Sequence, residues 1–252
     1  MTTPLLSIQV PSIYFVAGQR TLLPKRMALA TPDMKMALFE LGNLVSGKGG
    51  AFILSDLYRS YDMQLQAHMD YISKKKTAYS PAPGGSLHEA GRAFDVDLKA
   101  LKMPLADFWV LAKQCGVVPV IPEPKSGVSE SWHFECRGSH QIVYDYYAKG
   151  KGNNFDKPYS AMAASAISAN GVKLEKFGGN AVGASIQSGL IRLGHYVGNM
   201  DGSVGPKTNT ALAELQLAGL SAEEQRARLD LLLQAAFPAE YFDKVPSSHF
   251  VG

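Results

Sequence analysis

Two histidines, an aspartate, a glutamate and an arginine stand in this chain where their chemistry could converge. His88 lies in Ser86-Leu87-His88-Glu89-Ala90-Gly91-Arg92. Asp95 follows on Ala93-Phe94-Asp95-Val96-Asp97-Leu98, and His133 closes Glu130-Ser131-Trp132-His133. Two imidazoles and one carboxylate make a three-ligand set, and a tetrahedral catalytic zinc site keeps its fourth position for water. Histidine is scarce, six in 252 residues, so two flanked by carboxylates stand out. On spacing alone the alternative stays open: a histidine beside an aspartate that does no more than satisfy its hydrogen bonds.

Glu130 precedes His133 by three residues, close enough to sit near a metal without binding it. Such a carboxylate can take a proton from water and hand it to a leaving amine. Arg59, in Tyr58-Arg59-Ser60, could grip a carboxylate with its fork or steady an oxyanion. Taken singly, each of these also reads as an ordinary surface residue.

The elements that must position these groups are of both kinds. Thr31 as N-cap, Pro32, and apolar Met34, Ala37, Leu38, Leu41 and Leu44 predict a helix ending near Gly47. Ala51-Phe52-Ile53-Leu54 predicts a short strand, and Tyr61 to Lys75 a helix. Ser80-Pro81-Ala82-Pro83-Gly84-Gly85 is a loop. The period-two alternation of residues 93–98 and of Trp132-His133-Phe134-Glu135-Cys136 predicts strands, and Pro104 to Gly116 a helix. His88 is therefore expected in a loop, with Asp95 and His133 on strands.

Beyond residue 150 the composition changes. Lys149-Gly150-Lys151-Gly152-Asn153-Asn154 is polar and rich in breakers, and Ser160 to Ala169 is an Ala/Ser helix. Helices are expected over 184–193, 207–217 and 222–236, the first two separated by a Gly-rich turn. The chain thus reads as a catalytic domain over 1–150, a linker with a short helix over 151–180, and a helical domain over 181–252.

Composition narrows the partners. The net charge is +3 with scattered lysines, apart from Lys74-Lys75-Lys76, which reads as a solvated helix end; no nucleic-acid partner is expected. No apolar stretch reaches the ~20 residues of a membrane helix, so no membrane insertion is expected. Met1-Thr2-Thr3-Pro4-Leu5-Leu6-Ser7 lacks the basic start and apolar run of a secretory signal. The expectation is synthesis in a cytoplasm, with any later release or export supplied by something else. Cys115 and Cys136 are too few for a disulfide scaffold and read as small buried thiols. A monomer is expected.

Ser86-x-His88-x-x-Gly91-Arg92-Ala93-x-Asp95 followed by Glu130-x-Trp132-His133 resembles the D-alanyl-D-alanine carboxypeptidase family of zinc peptidases. That family includes D-Ala-D-Ala dipeptidases and phage L-alanyl-D-glutamate endopeptidases. Tyr58-Arg59-Ser60 matches its substrate-site arginine motif, with Leu57 where glycine often stands. The resemblance spans about residues 35 to 147. It implies an α+β fold, an antiparallel sheet with helices beside it and zinc on one sheet face. It implies His88, Asp95 and His133 as zinc ligands, Glu130 as catalytic base, and Arg59 steadying substrate or transition state. Ser86 and Asp97 would support the ligands or the substrate.

The tail resembles a three-helix peptidoglycan-binding module. Its signature runs from Ile186-Gln187 through Leu190, Leu193-Gly194, Tyr196, Gly198, Asp201-Gly202 and Gly205-Pro206 to Gln216. Leu190, Leu193, Ala211, Leu212 and Leu215 would form its core, Gly202 and Gly205 its tight turns, and Tyr196 and Asp201 its contacts with the wall. Together the two resemblances imply a peptidase acting on the peptidoglycan stem peptide, in a phage endolysin or an exported bacterial toxin. A wall-binding protein without catalysis is the alternative.

Overall fold

The structure is a computed structural model and describes residues 2–246. It divides into two compact units: Pro4–Arg137 with residues 242–246, and Gly138–Tyr241 with residues 2–3. The division falls at residue 137, short of the expected 150, because the next helix belongs with the helices that follow it. The last residues of the expected 181–252 domain lie outside the described residues.

The first unit is α+β. Its strands are β1 Leu6–Ser7, β2 Pro11–Val16, β3 Gln19–Leu22, β4 Leu29–Ala30, β5 Leu54–Asp56, β6 Ala93–Val96, β7 Val118–Pro119 and β8 His133–Glu135. Its helices are α1 Pro32–Gly47, α2 Tyr61–Ile72 and α3 Leu105–Gln114, with a 3-10 turn over Leu87–Ala90. Six strands make one sheet in the order β3-β2-β5-β6-β8-β7, and β1 pairs with β4 apart from it. The expected antiparallel sheet needs one correction: β2 runs parallel to β5, and the other pairs are antiparallel.

Alternation explains how this sheet serves both core and site. Phe94 and Phe134 are cross-strand partners on one face. Phe94 lies 5.7 Å from Phe52 and from Phe134, and Phe134 lies 4.9 Å from Phe108 of α3, measured between ring centroids. All four rings are at most 1% exposed, and each such burial is worth about 1.5–3 kcal/mol. Side chains one residue along point to the opposite face, which places Asp95 and His133 together away from the phenylalanines.

Helix α1 starts at Thr31 and Pro32, as expected. Thr31 does not cap with its hydroxyl; it donates instead to Asp33 Oδ1 at 2.6 Å. The other oxygen of Asp33 accepts from the wholly buried Arg92 at 2.8 Å. This pair ties α1 to the turn that carries His88.

The second unit is helical: α4 His140–Ala148, α5 Pro158–Ala169, α6 Ala181–Arg192, α7 Pro206–Glu214 and α8 Ala222–Ala236. Among the described residues α6, α7 and α8 share a unit with α4 and α5, so residues 151–180 are part of it. Gln187, 1% exposed, organises the turn between α6 and α7. Its Oε1 accepts from the backbone of Asp201 at 3.0 Å and of Gly202 at 2.7 Å. Gly202 has φ +83, and a Cβ there would stand 2.3 Å from Asn180 O, so no other residue fits. Gly205 needs no such freedom: it is the N-cap of α7, with φ −95. Leu190, Ala211 and Leu212 are buried, whereas Leu193 and Leu215 are half-buried. No described helix is long and apolar enough to cross a membrane.

Candidate metal centre

Three neighbouring strands bring acidic and imidazole groups into one row. In register, Asp56 of β5 pairs with Asp95 of β6, and Asp95 pairs with His133 of β8. His88 arrives from the 3-10 turn Leu87–Ala90. Ser86 caps that turn: its hydroxyl accepts from His88 N at 3.3 Å, and Glu89 returns a bond to Ser86 N at 3.2 Å. Glu89 also accepts from Gly84 N with both oxygens at 2.9 Å, fixing the preceding loop. Gly91 closes the turn at φ +64, where a Cβ would meet Leu5 Cδ2 at 2.7 Å.

His88, Asp95 and His133 converge, all three buried, with ligand atoms within 4.8 Å of one another. His88 Nε2 lies 3.2 Å from His133 Nδ1 and 3.4 Å from Asp95 Oδ1, and His133 Nδ1 lies 2.9 Å from the same oxygen. The far nitrogen of each ring is held by an acceptor. His88 Nδ1 bonds Leu57 O at 2.6 Å, and His133 Nε2 bonds Glu135 Oε1 at 3.2 Å. Each acceptor fixes the ring hydrogen on the far side and leaves the near nitrogen as a lone-pair donor, the arrangement of a metal-binding histidine.

The electrostatics call for a cation at this spot. Burial opposes charge on His133, but its hydrogen bonds to Asp95 and Glu135 outweigh that and push its pKa up to about 10. Burial likewise opposes the Asp95 carboxylate, yet His88 and His133 hold it well below the usual range. The two-imidazole, one-carboxylate donor set fits a divalent metal with an open position.

Glu130 sits in the turn before β8, and its O accepts from His133 N at 3.1 Å. Its backbone has φ +67, a left-handed conformation that a glutamate holds at a cost of about 1–2 kcal/mol. Its carboxylate accepts from Ser129 Oγ at 3.2 Å, is half-exposed, and acts electrostatically on Arg59. Arg59 donates from Nε to Asp56 Oδ2 at 2.7 Å and from Nη1 to Gln64 Oε1 at 3.2 Å, and its Nη2 lies 3.6 Å from Asp95 Oδ2. Burial weakens its charge, but Asp56 and Asp95 raise its pKa on balance.

Of the remaining expected residues, Ser86 stands beside His88, from whose N–H it accepts. Asp97 Oδ1 accepts from Lys99 N at 3.0 Å and caps the turn after β6. Ser86 is buried and engaged in its cap. Tyr196 and Asp201 belong to the helical unit. Tyr196 is 49% exposed and accepts from Lys207 Nζ at 3.1 Å, and Asp201 accepts from Ser203 N at 2.9 Å. Sequence reasoning passed over Glu135, Asp56 and Glu89. Two signals were present: Glu135 is two residues from His133 on a strand, hence on the same face, and Ser86-x-x-Glu89 is a capping box.

No family model and no curated protein matches this chain. Among solved structures, the LdcB LD-carboxypeptidase aligns over 52% of this chain and 66% of its own, at 19% identity and a TM-score of 0.40. DacB from Streptococcus pneumoniae D39 aligns over 46% and 76%, at 22% identity and a TM-score of 0.34. A vancomycin-resistance D,D-pentapeptidase VanY, in complex with Zn(II), aligns over 59% and 85%, at 17% identity and a TM-score of 0.36. Overlaps of this size leave the functional reading to the site itself.

Proposed function

We propose that the protein is a zinc-dependent peptidase that hydrolyses an amide bond in the stem peptide of bacterial peptidoglycan. The observation that carries the reading is the convergence of His88 Nε2, His133 Nδ1 and Asp95 Oδ1, with both imidazoles fixed from behind. Two imidazoles, a carboxylate and an open position suit zinc. Zinc held there by His88, Asp95 and His133 would supply Lewis acidity to the reacting carbonyl and to water.

The chain's own residues do the rest. Glu130 takes the proton of the attacking water and delivers it to the leaving nitrogen, so the amide breaks into an acid and an amine. Its left-handed backbone supports this role, since strain of that kind is held where geometry matters. Arg59, fixed by Asp56 and Gln64, is a stationary positive charge for the carbonyl oxygen as it becomes negative. Asp95 and Glu135 hold the imidazoles in place, and Leu57 O keeps the His88 proton on Nδ1. In this reading the helical unit binds the wall polymer and raises the local substrate concentration for the catalytic unit to which it is joined.

The test is mass spectrometry of peptidoglycan of defined chemistry after digestion, with and without a chelator. New stem-peptide fragments that vanish with chelator and return with zinc are the expected result. A folded protein that binds the wall and releases no fragment under any metal condition would establish the alternative, a binding role without catalysis.

A further inference from the structure

Helix α2 turns its polar side inward and its apolar side outward. Twelve residues are too few to hold a helix in water on propensity alone, so its support has to come from packing. Yet α2 buries a single residue, Gln64, and seats it with polar bonds. Gln64 Nε2 donates to Ser80 Oγ at 3.2 Å and to Pro81 O at 2.7 Å, and its Oε1 accepts from Arg59 at 3.2 Å. On the same side His68 Nδ1 lies 2.8 Å from Ser80 O. Met63 alone leans on the hydrophobic core, partly buried.

The other side carries Leu65, Met69 and Ile72, which are 38%, 49% and 53% exposed. Their spacing, i, i+4 and i+7, sets them in one stripe along the helix. Scattered exposed apolar residues need no explanation, but a continuous stripe marks a contact surface.

The symmetry of the stripe indicates what covers it. Its midpoint falls between His68 and Met69. Turned end for end about that point, Leu65 takes the place of Ile72 and Met69 stays near the centre. Asp62 and Lys75 lie on opposite sides of the midpoint, each about 10 Å away along the axis. Asp62, Lys74 and Lys75 are exposed, and Lys75 Nζ is held only loosely within the chain, 3.9 Å from Asp70 Oδ1. An antiparallel copy of α2 therefore sets Leu65 against Ile72, Met69 against Met69, and Asp62 against Lys74 and Lys75. A parallel copy would bring like charges together at both ends. The helix dipoles agree with the antiparallel choice, since each positive N-terminus then meets a negative C-terminus.

We propose that α2 pairs antiparallel with α2 of a second copy of this chain, about a two-fold axis near Met69. The pairing replaces the expected monomer with a weak dimer, because one helix face is smaller than a standard interface. It also steadies the helix whose buried side fixes Arg59. The pairing does not depend on the peptidase reading, and neither it nor its test uses a residue of the metal site.

Sedimentation velocity of the full chain over a series of concentrations is the test. The wild type shifts from monomer to dimer as concentration rises. L65E/M69E places like charges in the seam and raises the dissociation constant at least about tenfold. L65S/M69S adds no charge and also weakens the pairing, and circular dichroism of each variant separates lost pairing from a lost helix. D62K turns two surface attractions into repulsions and weakens the dimer about tenfold, and D62K/K74D/K75D exchanges the signs and restores it. A monomer at every concentration overturns the proposal. So does a dimer that L65S/M69S or D62K leaves unchanged, or a sign exchange that restores nothing. A chain that stays monomeric but binds phosphatidylglycerol vesicles through Leu65 and Met69 assigns the stripe to a lipid surface and overturns it equally.

Discussion

His88 Nε2 and His133 Nδ1 face each other at 3.2 Å, each ring held at its far nitrogen by an acceptor, Leu57 O or Glu135 Oε1. Two lone pairs at that distance repel unless a cation lies between or beside them. A metal ion with Asp95 as third ligand would supply that cation.

The first prediction concerns metal-linked stability. A ligand that binds only the folded state adds RT ln(1 + [L]/Kd), about 2.7 kcal/mol at a hundredfold excess over Kd. Zinc raises the melting temperature of the wild type, a chelator reverses the rise, and His88→Ala abolishes it. Thermal scans of both proteins with and without zinc provide the check. An equal rise in His88→Ala would place the metal elsewhere.

Glu135 is wholly buried between His133 and Arg137, whose Nε donates to it at 2.7 Å. Its charge orients the ring and strengthens the near nitrogen as a donor. Glu135→Gln keeps the shape and loses the charge, so zinc affinity falls by about tenfold, and Glu135→Ala brings the loss nearer a hundredfold. Competition against a coloured chelator reads both. Unaltered affinity in Glu135→Ala would mean that His133 binds no metal.

Arg92 and Asp33 form a pair at 2.8 Å, with the arginine 0% exposed. Arg92→Ala leaves the half-buried Asp33 without its cation and empties the space of a wholly buried side chain, at a cost of about 3–5 kcal/mol. Replacing both, by Arg92→Met with Asp33→Asn, recovers much of the loss because no lone charge remains. Urea unfolding of the three variants measures this. A double variant as unstable as Arg92→Ala would show that the packing of the arginine stem, and not its charge, is what matters.

How much of this was legible beforehand follows from the kind of signal each part carries. α3 and α8 follow from apolar spacing and caps, and Ser221 forms the box that starts α8. The facing of Asp95 and His133 follows from period-two strands. The β2–β3 hairpin left no such trace, because Ile13, Tyr14, Phe15 and Val16 are all exposed and do not alternate. The strand expected at residues 51–54 begins as regular strand only at Leu54; before it Ala51 N bonds Ala100 O at 2.9 Å and Ile53 O accepts from Asp97 N at 2.8 Å, outside the regular ladder. Of the three adjacent lysines expected as a solvated helix end, Lys74 and Lys75 are exposed and Lys76 is half-buried, since its N–H bonds Asp70 O at 3.2 Å where the chain turns back after α2.

Glu130 offers a test in which stability and activity part company. Its φ of +67 is unfavourable for any residue with a Cβ and free for glycine. Glu130→Gly and Glu130→Ala both remove the carboxylate, so in both kcat falls by about a hundredfold to ten-thousandfold, with zinc still bound. The two differ in the backbone. Alanine keeps the left-handed strain and glycine relieves it, so Glu130→Gly is more stable than Glu130→Ala by about 1 kcal/mol, after the extra freedom glycine gives the unfolded chain is subtracted. Glu130→Gln, which keeps both the length and the strain, loses the activity without moving the melting temperature. Stability and turnover measured on the three variants separate the base from the backbone. Full activity in Glu130→Gln would remove the residue from the reaction, and equal stability of the glycine and alanine forms would remove the strain from the account.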